Sequence, residues 1–105
     1  LVSLPEPDRG VIDAGSKVLT SDPVPTEIGR GHGYVLEYPD AVITSLSEEH
    51  AVVDFSRCSE RPQLGERLRV VPNHVCPVSN LVDEVVLHRH GVVEAVVPVA
   101  ARGKR

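Results

Sequence analysis

The chain has 105 residues, a mass of 11.4 kDa, a formal net charge of −4 and a pI near 5.7. That length suits one domain, and an acidic balance with only 3% aromatics excludes a nucleic-acid surface, which needs a basic stripe and stacking rings. No apolar run approaches the roughly 20 residues that cross a bilayer, and the start lacks signal-peptide features, so no membrane partner is expected either.

About a fifth of the residues are Val, while Met and Trp are absent. Val is stiff at its first torsion and suits a pleated surface, so the composition is that of a strand-rich protein. A chain opening Leu1-Val2-Ser3 carries no initiator and reads as a piece cut from a longer polypeptide. Cys58 and Cys76 are the only cysteines, without CxxC or framework spacing, which points to a reducing, cytoplasmic location.

Residues 1–8, with two prolines, are expected to be a lead-in. Val11-Ile12-Asp13-Ala14 reads as a short strand, ended or bulged at Gly15. Residues 20–33 hold two prolines and three glycines with little periodicity, a long loop of the kind that carries function. Tyr34–Tyr38 and Ala41–Thr44 read as strands joined by the turn signal Pro39-Asp40. Ser45–His50 resembles a capped helical turn, with Ser45 and Glu48 in capping-box spacing, and feeds a strand over Ala51–Phe55. After a polar loop over 56–65, the pattern predicts a strand from Glu66 to Val71. Leu81–His88 and Val92–Val99 then form the clearest hairpin, around Arg89-His90-Gly91. The fold class predicted is all-β: a small barrel-like domain of six or seven short, mostly antiparallel strands with one or two helical turns.

The most chemically suggestive segment is Arg67-Leu-Arg-Val-Val-Pro-Asn-His-Val-Cys-Pro77. If the strand continues past Pro72, alternation places His74 and Cys76 side by side, and an imidazole and a thiolate so placed can converge on one metal. Two protein ligands leave such a site open to water, substrate or a third ligand. The competing reading is that both are core residues, since free Cys is among the most buried residue types.

Five segments in this order, Asp13-Ala-Gly-Ser-Lys17, Ser21-Asp22, Glu48-Glu-His50, Gly65-Glu-Arg-Leu-Arg69 and Pro72-Asn-His-Val-Cys-Pro77, resemble one family. It is the C-terminal domain of the D-serine dehydratase and D-threonine aldolase-like enzymes, the fold-type III pyridoxal-phosphate group related to alanine racemase. The closing Val97-Pro-Val-Ala-Ala-Arg-Gly103 is similar to that family's end, and Ala51 departs from its usual EEHG. The resemblance implies a missing N-terminal (β/α)8 barrel that holds pyridoxal phosphate on a lysine. It implies that residues 1–105 are a single domain closing that active site, with His74 and Cys76 binding Zn2+ or another divalent metal. It further implies a homodimer acting on a small D-amino acid, by dehydration or retro-aldol cleavage. Lys17 and Lys104 are the chain's only lysines and neither lies in a barrel strand, so the chain alone is expected to be inactive.

Glu49 and His50 are candidate catalytic or ligand-orienting groups, against the plainer reading of a surface pair. His32, between two glycines, would complete the metal shell or touch substrate, but a solvated loop histidine is favoured. Asp13 and Lys17 are expected to form a structural ion pair, His88 and His90 to be exposed, and Cys58 to be incidental. Two further readings stay open: a metal-independent amino acid racemase domain, and a non-catalytic dimerisation or docking domain.

Overall fold

A computed structural model describes residues 1–25, 27 and 29–104. In chain order the elements are β1 (Ser3–Glu6), β2 (Arg9–Ile12), α1 (Ser16–Leu19), β3 (Tyr34–Val35), β4 (Val42–Leu46), β5 (Ala51–Asp54), β6 (Val70–Val71), α2 (Val75–Asn80), β7 (Glu84–Arg89) and β8 (Val92–Pro98). Every pairing is antiparallel, and the described strands form a four-stranded sheet β1-β2-β5-β4 and two ladders, β3-β6 and β7-β8. The all-β reading holds, with eight strands in place of six or seven. No described sheet closes into a barrel.

Alternation decides which faces are buried. In β5, Ala51 and Val53 point inward while Val52 and Asp54 are half-buried, and in β4 Ile43 is fully buried. Phe55, Ile43, Val35 and Val53 form the centre of the core, with Ile12, Leu19 and Leu1 around them. Tyr38 meets Phe55 edge to face at 5.4 Å and 81°, a favoured aromatic geometry. Its hydroxyl donates to the Glu66 carboxylate, 3.0 Å to Oε1. Burial and the adjacent Glu66 charge both push the Tyr38 phenol up.

Several local expectations are corrected. Residues 1–8 are not a lead-in: Ser3–Glu6 is an edge strand, where Pro5 costs no ladder bond toward a further strand. The strand read over 34–38 is only two residues long, and its partner is β6 rather than β4. Ser45–His50 is no capped helical turn, because β4 runs on to Leu46. Ser47, not Ser45, organises the reversal: its N–H donates to the His50 carbonyl (2.8 Å) and its Oγ accepts from the His50 N–H (3.1 Å). The strand predicted over 66–71 shrinks to Val70–Val71, and Val75–Asn80 is a short helix.

The terminal hairpin is present, with its first strand shortened from Leu81–His88 to Glu84–Arg89 and its turn reduced to His90-Gly91. His90 (φ 51°) and Gly91 (φ 80°) both take the left-handed conformation, which makes the two-residue turn that matches strand twist. A bulge between Leu87 and His88 shifts the register, with Glu94 the extra residue on β8. Both strands are exposed along their whole length. The hairpin therefore projects from the body, and the radius of gyration is 14.5 Å against about 13 Å for a compact domain of this length.

Candidate metal-donor corner

Two segments distant in sequence meet at the start of α1. Gly15 is its N-cap residue, and a Cβ there would lie 2.4 Å from the Ser47 carbonyl oxygen and 2.5 Å from that of Glu48. Glycine is required by this approach, not by its φ of −105°. The contact lets Ser16 N–H donate to Ser47 O (2.8 Å) and Lys17 N–H to Glu48 O (3.2 Å), satisfying donors a helix start leaves open. Lys17 then pairs with Glu49 (2.5 Å) and Glu48 (3.3 Å), so the expected Asp13–Lys17 pair is replaced. The Glu49 and Glu48 carboxylates hold the Lys17 ammonium above its ordinary range, and Lys17 holds Glu49 below its own. Glu49 is thus an exposed, ionised partner of Lys17. His50 is exposed beside it, and Ala51 is buried in β5.

The second corner contains the predicted metal ligands. His74 has extended backbone (φ −144°, ψ 111°) and is the N-cap residue of α2. Its Nδ1 lies 2.6 Å from Asp22 Oδ2. Cys76 follows in the first turn of α2, so the extended alternation proposed for the pair stops at His74. Pro77 fits there because the N–H groups of a first helical turn have no intrahelical acceptor. Cys76 is exposed with a free thiol and His74 is about half exposed, so neither is a core residue. Cys58, by contrast, is buried in the core, and burial pushes its thiol up, which suits an inert side chain.

Asn73 holds the corner together. Its Nδ2 donates to the backbone carbonyls of Asp22 (2.9 Å) and Gly31 (3.0 Å), pinning both ends of the long loop against the residue that precedes His74. Thr20 begins that loop at φ 63°, a strained setting for a β-branched residue. His32 is not the solvated loop histidine expected: it is half-buried, its N–H donates to Ile43 O (3.1 Å), and its Nδ1 is buried without a partner among the described residues. The contacts of Asp22 and Asn73 could not be read from spacing, because they span 52, 51 and 42 residues of sequence.

Asp22 engages Nδ1 of His74, which leaves Nε2 facing away as the ring's donor. A carboxylate behind a histidine is the arrangement that fixes ring orientation and raises basicity in metal sites. With a thiol two residues on, the donor types suit zinc or a similar cation. Among the described residues no three His, Cys, Asp or Glu side chains gather to hold an ion. A cavity of about 420 Å³ adjoins the corner, walled by Arg30, Tyr34, Asp40, Arg57 and Asn73. Cys76 lies outside it, on a shallow hollow with Asn80, Ala101 and Lys104. Among the described residues no helix is long and apolar enough to cross a membrane.

Comparison with known proteins gives this corner a setting. Residues 1–88 match the family described as "Putative serine dehydratase domain". An uncharacterized protein of Mycobacterium tuberculosis is 45% identical over 96 residues, covering 91% of this chain and 71% of that protein. D-threonine aldolase of an Arthrobacter species is 39% identical over 98% of this chain and 25% of its own length. The crystal structure of D-threonine aldolase from Filomicrobium marinum superimposes with a TM-score of 0.81 at 33% identity, over 97% of this chain and 26% of that one. D-threo-3-hydroxyaspartate dehydratase from Delftia sp. HT23 gives 0.67 at 25% identity, over 89% of this chain and 28% of that one. The chain thus spans about a quarter of these enzymes, and it belongs to the D-serine dehydratase-like domain family.

Proposed function

We propose that this chain is the β-domain of a pyridoxal-phosphate-dependent lyase that cleaves or dehydrates β-hydroxy D-amino acids, and that His74 and Cys76 hold its divalent metal. The observation that carries the reading is the 2.6 Å contact from Asp22 Oδ2 to His74 Nδ1, two residues ahead of the exposed free cysteine Cys76 in the first turn of α2. Asp22 holds the imidazole in one orientation and stabilises the tautomer protonated at Nδ1, which keeps Nε2 available as a donor. Asn73, which precedes His74, donates to the Asp22 and Gly31 carbonyls and so ties the His74 segment to the loop that carries Asp22.

The cofactor does not fit on this chain. Lys17 is clamped as an ammonium by two carboxylates, the wrong state for imine formation, and Lys104 sits in the last turn at the chain end. In this reading another part of the polypeptide would hold the pyridoxal phosphate, and His74 and Cys76 would hold a divalent cation whose Lewis acidity would act on the substrate's β-hydroxyl. Residues of the present chain bind and orient that cation and cover the site. The aldolase relatives favour retro-aldol cleavage of a D-threonine-like substrate, whereas the family resemblance read from the sequence gives Cys76 the ligand type of the dehydratases.

Two measurements test this. Cobalt titration of the 105-residue chain should give weak binding with a thiolate-to-metal absorption that Cys76→Ser abolishes and His74→Ala weakens at least tenfold. Binding unchanged by both substitutions overturns the ligand assignment. A polypeptide carrying this domain behind its barrel should release glycine and acetaldehyde from D-threonine, or pyruvate and ammonia from D-serine, and lose the activity with His74→Ala. One observation favours a second reading, a docking domain without catalysis. Ninety-six aligned residues fill 71% of the mycobacterial relative, which leaves no room for a barrel of roughly 250 residues. A parent reading frame without a barrel selects that reading.

A further inference from the structure

Most arginines of this chain are neutralised by the chain itself. Arg9, Arg61, Arg69, Arg89 and Arg102 each pair with a carboxylate at 3.2 Å or less. Arg30, Arg57 and Arg67 have no carboxylate partner among the described residues, although acidic residues outnumber lysines and arginines 15 to 11. Two of these three, Arg30 and Arg57, wall the same cavity of about 420 Å³, a volume within the range of about 300–1,000 Å³ that small-molecule sites occupy. Arg67 lies elsewhere, on a groove with Asp13 and Glu66.

The fold fixes the backbone at both arginines and leaves their side chains uncommitted. Arg57 stands in the turn after β5, where Cys58 N–H donates to Phe55 O (2.9 Å) and Ser56 N–H to Asp54 Oδ1 (2.8 Å). Arg61 holds that turn on either side of Arg57, donating from Nη1 to Cys58 O and from Nη2 to Ser56 O. The Ser56 hydrogen bonds hold the Asp54 carboxyl low and the Arg57 charge adds to this, but the two side chains do not pair. Arg30 precedes Gly31, which takes φ 84° because a Cβ there would lie 2.5 Å from the Ile43 carbonyl oxygen. The Gly31 carbonyl in turn accepts from Asn73 (3.0 Å). On the other side of Arg30, a Cβ on Gly29 would meet nothing within 4 Å, so backbone there borders open space.

We infer that this cavity is an oxyanion site, in which Arg30 and Arg57 together take one carboxylate or phosphate group of a small ligand. A guanidinium offers five N–H donors in a planar fork that matches either group, and it stays charged at any working pH. Backbone fixed in advance lowers the ordering cost of binding. Asn73 shares the wall, but its Nδ2 donors are committed to the Asp22 and Gly31 carbonyls. Asp40 is the only carboxylate among the described residues of that wall and leaves it a formal charge of plus one. It opposes any anion, and opposes a dianion about twice as strongly as a monoanion, because Coulomb energy follows the charge product. The inference does not rest on the lyase reading, since a domain without catalysis would bind the anion in the same way.

The test is an NMR titration of the 105-residue chain with sodium acetate and, separately, with inorganic phosphate at constant ionic strength, followed at the arginine Nε–H signals. The Arg30 and Arg57 signals should move together and saturate with one shared dissociation constant, on the order of 10 mM or below. Arg30→Gln and Arg57→Gln should each weaken binding at least about fivefold. Arg67→Gln removes the same charge outside the cavity and should leave the affinity unchanged. Asp40→Asn should tighten both anions, phosphate more than acetate. The anion that the wild type binds more tightly identifies the ligand's acidic group. Amide spectra unchanged away from the cavity establish that each variant is folded. Three outcomes overturn the inference: no saturation by either anion below about 100 mM, separate dissociation constants at the two arginines, or a loss with Arg67→Gln as large as with Arg57→Gln.

Discussion

Replacing Gly15 with alanine isolates the junction between the DAGSK and EEH segments. With φ at −105°, an L side chain meets no backbone strain there, so on conformational grounds alone alanine would stabilise by about 0.4–1 kcal/mol through the unfolded chain. The contacts decide the opposite sign. The new Cβ would sit 2.4–2.5 Å from the carbonyl groups of Ser47 and Glu48, which are backbone atoms of a tight reversal and cannot rotate away. Separation by about 1 Å stretches two hydrogen bonds, Ser16 N–H to Ser47 O and Lys17 N–H to Glu48 O, each contributing about 0.5–1.5 kcal/mol net. The balance is a loss of about 1–2 kcal/mol, which in a domain of this size lowers Tm by roughly 4–8 °C per kcal/mol. Thermal unfolding followed by circular dichroism measures it. A Gly15→Ala protein that melts at or above the wild type would refute the claim that close approach is what this glycine serves.

Asp22→Asn should weaken cobalt or zinc binding at His74 by about 10- to 100-fold while leaving Tm nearly unchanged, because the side chain orients a ligand at an exposed position; equal affinity would remove Asp22 from the site. Phe55→Ala should cost about 3–5 kcal/mol in urea unfolding, since the ring is fully buried against Tyr38; a cost below 1 kcal/mol would show that the core is misplaced. Glu49 titrates below its ordinary 4.5 because Lys17 favours its charged form. The sign follows from linkage: this small contribution is present above the unfolded value and is lost as pH falls through the lowered one. Carboxyl NMR should show that low midpoint, and Lys17→Met should return it to the ordinary range.

What was legible in the sequence depended on how local its cause is. The short Val-rich run from Ala51 to Phe55 and the residues of the His90-Gly91 turn announced β5 and the hairpin, because both are determined within a few residues. β1 was hidden by Pro5, which argues against a strand unless the strand is known to lie at an edge. Helix α2 is only six residues long, too short to show a 3.6-residue period, and Val75-Cys-Pro-Val reads equally well as extended chain. At the site, His74 and Cys76 stood out by residue type alone. Asp22, Asn73 and the partners of Lys17 did not, since each acts across at least 31 residues of chain that only the fold brings together.

The double grip of Asn73 on the carbonyls of Asp22 and Gly31 has an evolutionary consequence. A loop tied at its two ends can change in length and composition between the ties without moving what stands at its base. Doubling such a loop costs only about 0.6 kcal/mol of closure entropy. The stretch between Pro23 and Arg30 is thus a place where sequence can be exchanged while the Asp22–His74 pair stays fixed. Natural variation and laboratory grafting would then both reshape the cavity walled by Arg30 there, while the Asp22–His74 contact stays as it is.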